Sequence, residues 1–600
     1  MMIKSINAAV LSGDCPDFER CGTDSGACED VARLLCIREE LRRNLRKPKD
    51  EVEHLRIACG ITATILRAYQ PDGPEAPVEA IRSDLAVEAG VIARNLDVET
   101  ASYYLGSIYT VLLPPGYRSR HGVFYTPPAV TARLLDMVEE DGVDWATVRA
   151  CDPACGGGAF LAPMAARMLR ALNGRLPGEI MAHIAGRLRG FELDPFSGWM
   201  SQMFLAAVLS PLGQALPQFV VIGDSLSIPD KEYGAWDLVI GNPPYGKVKL
   251  EPYDREKWAR SLFGHANLYG LFTDLAVHLA AEGGIIAYVT PTSFLGGQYF
   301  QALRKLLVME CSPVRIDFLQ SRQGIFADVL QETALTVYRR VRGRQGGVVV
   351  DIVTVTETSS AEIEYLGRFD VPSEDGSPWL LPRQPTQVDL LGQIAAMPTR
   401  LSDLGYEVST GPLVWNRHKT KLASVGTKGM VPVVWAECIP GDGSGAFRWK
   451  VTGDHLGWFR PRGIDDPNLI DQPCVLLQRT TAVEQRRRLI AAVMPVDFLA
   501  LHPHVAVENH VNMIRPIRGQ TPKVGLEVVA ALLNSQAVDL VFRCINGSVA
   551  VSAYEIEAMP MPTATQLQKL KTLIARHVKR EAVEIAVRDM YAVLRTRAAV

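Results

Sequence analysis

The sequence predicts an α/β protein built on a doubly wound, mostly parallel sheet, with a helical region before it and an α+β domain after it. Three observations lead there. From about residue 145 short apolar stretches alternate with helical ones. The short stretches are apolar throughout rather than at every second position, which belongs to strands covered on both faces. The first of them ends in a glycine turn, Asp152-Pro153-Ala154-Cys155-Gly156-Gly157-Gly158-Ala159-Phe160, the kind of turn that lets backbone pass close to a ligand before a helix begins.

Residues 29–70 carry EDVARLLCIREELRRNLRK and EVEHLRIACGITATILRAYQ, whose apolar positions recur at three and four, so both read as helices. PDGPEAP at 71–77 interrupts them, a further helical stretch runs to about residue 110, and residues 1–114 form an N-terminal helical region. Residues 115–345 hold the sheet. Its strands end at Asp152, Glu192 and Asp224, followed by WDLVIG (236–241), GIIAYVT (284–290), VRIDFL (314–319) and TALTVYR (333–339). Residues 346–400, mixed and rich in Pro, Gly and acidic residues, read as a connector. Residues 401–562 read as a domain of short strands and turns, and 563–600 as a long amphipathic helix or helix pair.

Six hundred residues require more than one core. Hydrophobic residues at 48% and charged ones at 22% are ordinary for a soluble chain. No apolar run approaches the ~20 residues of a membrane span, and the start lacks a secretory core, so a cytoplasmic protein without membrane contact is expected. Eleven cysteines without a CxxC pair point to reduced thiols and no metal site. The net charge of −3 is unevenly spread: residues 401–600 balance at +6 and residues 1–400 at −9. A basic C-terminal third on an acidic body suits a domain that holds a polyanion.

In doubly wound sheets a ligand sits beyond the carboxyl ends of the strands. The glycine turn there is not followed by Gly-Lys-Ser/Thr and lacks dinucleotide spacing, so a ligand without a phosphate grip fits better. Glu192, at the second strand end, suits ribose hydroxyls. Asp224, at the third, suits an exocyclic amine, with Leu226 against a purine face. Together they describe a nucleoside with a polar tail. The fourth strand ends in Asn242-Pro243-Pro244-Tyr245: a polar amide, two residues that donate no backbone hydrogen bond, and an aromatic ring.

This order of motifs resembles the S-adenosylmethionine-dependent amino-methyltransferases, in particular the γ-type N6-adenine DNA methyltransferases, whose cofactor loop looks like DPACGGGAF and whose catalytic motif is NPPY. HGVFYTPPAV (121–130), NLYGLF (267–272) and GGIIAYVTPTSFL (283–295) follow the family order, over about residues 115–345. The resemblance implies a class I, Rossmann-like methyltransferase fold and S-adenosylmethionine as cofactor. It implies Thr126 and Asp152 at the methionine end, Ala154, Gly156 and Gly158 in the close-approach loop, and Glu192 on the ribose. Asp224 would take the cofactor's adenine amine, with Phe160 and Leu226 as apolar walls and Asn242 bordering the cofactor. Catalysis would rest on Asn242, Pro243, Pro244 and Tyr245, with Phe326 packing on the target base. The Asn242 oxygen and the Pro243 carbonyl would each accept an N6–H bond, drawing the nitrogen lone pair out of ring conjugation.

The implied partner is double-stranded DNA, read by the C-terminal domain. Base-edge and phosphate contacts are sought in Trp415-Asn416-Arg417-His418-Lys419, Gln478-Arg479-Thr480, Arg486-Arg487-Arg488 and the Asn546-Gly547-Ser548 turn. The implied role is the protective half of a restriction–modification system, a monomer whose cognate endonuclease acts independently. RNA or a protein glutamine as substrate, or a catalytically inactive DNA-binding relative, are the alternatives. The intact NPPY and the three strand-end acids argue against the last of these.

Overall fold

The computed structural model describes residues 25–592 apart from 46–47, 122–125, 322–331, 344–345, 356–360, 373–375, 395–396, 443 and 482–484. The chain divides into two compact units. One comprises Met1–Pro291 and Lys305–Tyr365, the other Thr292–Arg304 and Leu366–Val600.

The first unit is organised by a nine-stranded sheet. Its sheet strands are β1 (Ala150–Asp152), β2 (Leu188–Glu192), β3 (Val220–Ile222), β4 (Trp236–Gly241), β7 (Ala280–Pro291), β8 (Ser312–Ser321), β9 (Thr333–Arg339), β10 (Val348–Val355) and β11 (Ala361–Phe369). Between β4 and β7 lies a separate two-stranded ribbon of β5 (Lys247–Val248) and β6 (Ala266–Asn267). The order across the large sheet is β11-β10-β8-β9-β7-β4-β1-β2-β3. The run from β7 to β3 is parallel, β10 is parallel to β8, and β9 is antiparallel to both β7 and β8. Leu238, Ile240, Ile285, Ala287 and Val289 are buried on one face, and Val239, Ile286 and Tyr288 on the other. That double coverage is why these strands carry continuous apolar runs.

Two features depart from the sequence-based expectation. The sheet continues into the segment read as a connector, through β10 and β11. Asp351 interrupts the apolar run of β10 and hides it. In the fold Asp351 is buried and lies 3.4 Å from Arg315, while Arg133 lies 2.7 Å from the equally buried Asp317. The second departure concerns the N-terminal helices Ser25–Asn44, Glu51–Tyr69, Asp84–Ala93 and Val98–Leu112, which are a layer of this same unit. Their Leu34, Ile65, Leu105 and Tyr109 share one core with Phe196, Trp199, Met203 and Phe204 of helix Pro195–Leu209. That helix is apolar nearly all round, so it needs cover on more than the sheet side. Side chains of Asp50, Ser83 and Asp97 cap three of the four helices.

The second unit holds a four-stranded antiparallel sheet in the order Tyr406–Thr410, Val511–Pro516, Val475–Gln478, Ala491–Val493, and a five-stranded sheet of short strands. Helices Leu526–Leu533, Gln536–Ile545, Ala564–Ala575 and Arg580–Ala592 contribute to its main core, with Val529, Phe542, Leu567 and Tyr591 among its members. The C-terminal amphipathic stretch is thus two helices, parted near His577, which takes a left-handed φ of 51°. Residues 292–304 belong to this unit. Arg304, fully buried, donates to the carbonyls of Phe294 (2.7 Å), Gly297 (2.8 Å) and Gly376 (2.9 Å) and to the Tyr554 hydroxyl (3.0 Å). Among the described residues no single helix is long and apolar enough to cross a membrane.

Candidate active site

The site grows from the carboxyl ends of β1, β2, β3 and β4. Because β1 lies between β4 and β2, the winding reverses at β1, and in doubly wound sheets that reversal is where a ligand is received. Asp152 closes β1. It is 1% exposed and accepts the Ala154 N–H at 3.0 Å. Burial pushes its carboxyl up to about 8, with the nearby Glu192 adding to the shift. Gly241, the last residue of β4, is small for a steric reason: a Cβ there would sit 2.5 Å from Asp152 Oδ1.

Glu192 ends β2 half-buried. One carboxylate oxygen accepts the Gly156 N–H (2.8 Å) and the other the Asp194 N–H (2.9 Å), so the glutamate ties the second strand end to the glycine turn. Burial raises its pKa against the pull of these backbone donors. The two left-handed glycines of the turn do different work. A Cβ at Gly158 (φ 84°) would press to 3.0 Å on Ser201 of helix Pro195–Leu209, whereas a Cβ at Gly156 (φ 50°) would meet nothing within 4 Å. Gly158 serves packing, and Gly156 faces open space. Ser201 also donates to the Gly156 carbonyl at 2.7 Å.

Asp224 is exposed and accepts the Leu226 N–H at 3.0 Å, capping the short turn Ser225–Ser227. Ser225 Oγ donates to the Pro153 carbonyl and so joins the third strand end to the glycine loop. Leu226 is half-buried, and its carbonyl accepts from Lys257 Nζ at 2.6 Å. Phe160 differs from its expected role. It is 1% exposed and belongs to the core beneath the sheet, where packing accounts for it.

Asn242 stands at the centre. Its Nδ2 donates to Thr126 Oγ1 at 3.1 Å, across 116 residues of sequence, and its Oδ1 accepts the Tyr245 hydroxyl at 2.7 Å. That hydroxyl also lies 3.1 Å from the Val289 carbonyl on β7. A hydroxyl at each end holds the carboxamide in place. Pro243 is buried and Pro244 half-buried. The Tyr245 ring meets Tyr269 edge-on at 6.1 Å, and burial raises its phenol above the usual range. Phe326 lies outside the described residues.

The residues sought for recognition in the second unit divide. Gln478 donates to the carbonyls of Ala436 (3.2 Å) and Ile439 (2.7 Å). Arg479 donates to the Asn509 carbonyl (2.9 Å), and Arg487 pairs with Glu584 (2.8 Å). Arg488 is fully buried and bonds Thr481 (3.0 Å), and Asn546 bonds Glu555 (2.7 Å). These five are framework. Asn416, Arg417, Lys419, Thr480 and Arg486 remain exposed, with Lys419 lying over the Trp415 ring at 5.1 Å. Sequence reasoning missed Gly241, Ser201, Ser225 and Lys257. Only Gly241, next to the NPPY motif, carried a signal; the others are single polar residues within helices and turns.

The donor set suits S-adenosylmethionine. A buried carboxyl with a raised pKa, as at Asp152, is a seat for a cationic ammonium. Each Glu192 oxygen keeps a lone pair for a hydroxyl, the space at Gly156 is free, and Asp224 presents an exposed carboxylate.

The signature of the family described as Eco57I restriction-modification methylase matches residues 212–326. The chain is 24% identical to the Type II methyltransferase M.BsuBI of Bacillus subtilis over 494 residues, covering 77% of this chain and 91% of that protein. It is 28% identical to the Type II methyltransferase M.PstI of Providencia stuartii over 351 residues, covering 56% of this chain and 66% of that one. Among solved structures, the Type IIL restriction-modification enzyme MmeI in complex with DNA shares the fold, with a TM-score of 0.54 at 13% identity over 96% of this chain and 94% of that one. With an NPPY motif at a strand end, strand-end residues whose chemistry suits the cofactor and these relatives, the chain is a methyltransferase similar to the restriction–modification methylases, to the Eco57I family over residues 212–326, with S-adenosylmethionine as its cofactor.

Proposed function

We propose that this methyltransferase modifies double-stranded DNA at a specific sequence, with N6 of an adenine turned out of the duplex as the acceptor. The observation that carries the reading is the placement of the Asn242 carboxamide at the end of β4, held between the hydroxyls of Thr126 and Tyr245. One lone pair of Oδ1 stays free for an N6–H donor, and the Pro243 carbonyl takes the other. Two acceptors on one amine pull its lone pair out of ring conjugation and aim it. Fixed dipoles of this kind need no strong base. When bound, S-adenosylmethionine supplies the electrophilic methyl group. Asp152 holds its cationic end, Glu192 its ribose and Asp224 its adenine amine. The Tyr245 ring stacks on the extruded base, at a gain of ~1–3 kcal/mol that offsets much of the unstacking.

The second unit, within the basic C-terminal third, is the DNA-reading part. The DNA complex of MmeI, which shares the fold over both units, supports this. The protein acts as a monomer, protecting sites that a separate cognate endonuclease cuts. The test is single-molecule sequencing of DNA from cells expressing the chain. One short motif carrying N6-methyladenine at nearly every copy, and left bare by the Asn242→Ala chain, is the expected result. Methylation at cytosine, or none while S-adenosylmethionine still binds, overturns the adenine assignment.

A further inference from the structure

One residue after Tyr245 the chain leaves the site. Gly246, with a φ of 130°, starts an arm that runs out along β5 and returns along β6 to helix Leu268–Leu279. Lys247 pairs with Asn267 and Val248 with Ala266, and the Leu268 N–H closes the base of the arm on the Gly246 carbonyl at 2.9 Å. The arm is anchored rather than loose. Trp258 at its inner end is 1% exposed, and Arg260 pairs with Asp274 and Glu310. Arg255 donates to the Gly264 carbonyl at 3.0 Å, and Lys257 is spent on Leu226.

Three of the five arm cations are therefore structural. The remaining two are Lys247 and Lys249. Both are exposed, while Val248 and Leu250 between and after them are half-buried, so the two ammonium groups share one side of an extended stretch. Among the described residues neither has an acidic partner, although Glu251, Asp254 and Glu256 lie in the same arm. Two cations left without counterions beside a catalytic ring ask for an anion there.

We propose that Lys247 and Lys249 grip the sugar–phosphate backbone of the strand whose base enters the Asn242–Tyr245 site. The proposal rests on DNA being the substrate. An extruded nucleotide stays joined to its strand, so its flanking phosphates come to the mouth of the site with it. Lys247 follows Tyr245 by two residues, at most about 7 Å of chain, and it is held there by the ribbon, with Lys249 one residue beyond the ribbon's first strand. The contact reads no sequence; it positions the strand that is methylated.

The test measures binding of the full chain to a duplex bearing the motif found methylated, between 50 and 200 mM salt. Each lost phosphate contact lowers the slope of log K against log salt by about 0.9. The double variant Lys247→Gln/Lys249→Gln should lose about 2 in slope and at least about tenfold in affinity at 100 mM, with S-adenosylmethionine binding as in the parent. A control pair on the N-terminal helical layer, Lys49→Gln/Arg56→Gln, should keep the parent slope. A duplex with neutral methylphosphonates flanking the target adenine should weaken the parent and leave the arm variant indifferent. An unchanged slope in the arm variant, an equal loss in the control pair, or equal weakening of parent and variant by the methylphosphonates overturns the proposal. If the parent itself binds duplex without salt dependence, the DNA reading fails and the arm's role with it. The same steep slope in parent and arm variant sinks the arm alone.

Discussion

The two units treat their polar residues in opposite ways. At the strand ends of the first unit, Asp152, Glu192, Asp224 and Asn242 stand around one crevice, each with capacity left after its protein bonds are counted. In the second unit, Gln478, Arg487, Arg488 and Asn546 are consumed by the fold itself. A motif bound to a strand end has its geometry set by the sheet, so its chemistry survives folding. A cluster picked out by charge alone carries no such guarantee, since a buried guanidinium with five donors is as useful for joining loops as for reading bases.

The contrast can be broken by experiment. The largest effect is expected at Asn242. Asn242→Ala should lower turnover by about 10²–10³-fold, as loss of one preorganised dipole does, while S-adenosylmethionine affinity measured by calorimetry shifts far less. A parallel loss of affinity would make Asn242 a cofactor ligand and not a catalytic group. Next comes Arg488. Arg488→Met should cost about 2–4 kcal/mol of stability in denaturant unfolding, because it leaves Thr481 Oγ1 and the carbonyls of Ser548 and Ala550 without the donor that satisfies them. Stable protein with lost DNA binding would instead return Arg488 to recognition and erase the difference between the units.

A smaller effect follows from Asp152. Its folded pKa of about 8 lies above the ordinary carboxylate value, so the ligand-free native state binds a proton that the unfolded chain releases. Stability of the ligand-free protein should therefore fall as pH rises from the carboxylate range toward 8. A cationic ligand needs the ionised form, so cofactor affinity should climb by up to about tenfold per pH unit below 8 and level above it. Calorimetry across pH, with Asp152→Asn as the flat control, decides this; a flat parent profile refutes it. The smallest effect is at the exposed Arg486. Arg486→Gln should change stability by less than about 0.5 kcal/mol, and a DNA-affinity loss there would mark it as one of the true contacts of its triplet.

These differences also explain what sequence reasoning reached. The strands ending in Asp152, Glu192 and WDLVIG were readable because uninterrupted apolar runs stop at a polar residue. β10 was not, because Asp351 sits inside it and only the pairing with Arg133 and Arg315 makes that burial tolerable. The glycine turn was readable as a turn, but the division of labour between Gly156 and Gly158 depends on Ser201, 43 residues beyond Gly158. Phe160 and Arg488 misled for one reason: residue type announces neither core nor surface when a side chain is both apolar and ligand-sized, or both charged and able to bridge carbonyls.

The excursion of residues 292–304 into the second unit bears on how this protein is made and remade. On the ribosome, Arg304 emerges long before Gly376 and Tyr554, the groups that receive its protons. The nascent chain must carry that guanidinium hydrated past the synthesis of four more strands of the large sheet and complete the second unit around it afterwards. Anyone grafting a foreign recognition unit onto this catalytic scaffold would have to transplant two separate pieces of chain. A single junction near residue 366 would leave thirteen residues of the old second unit embedded in the new one.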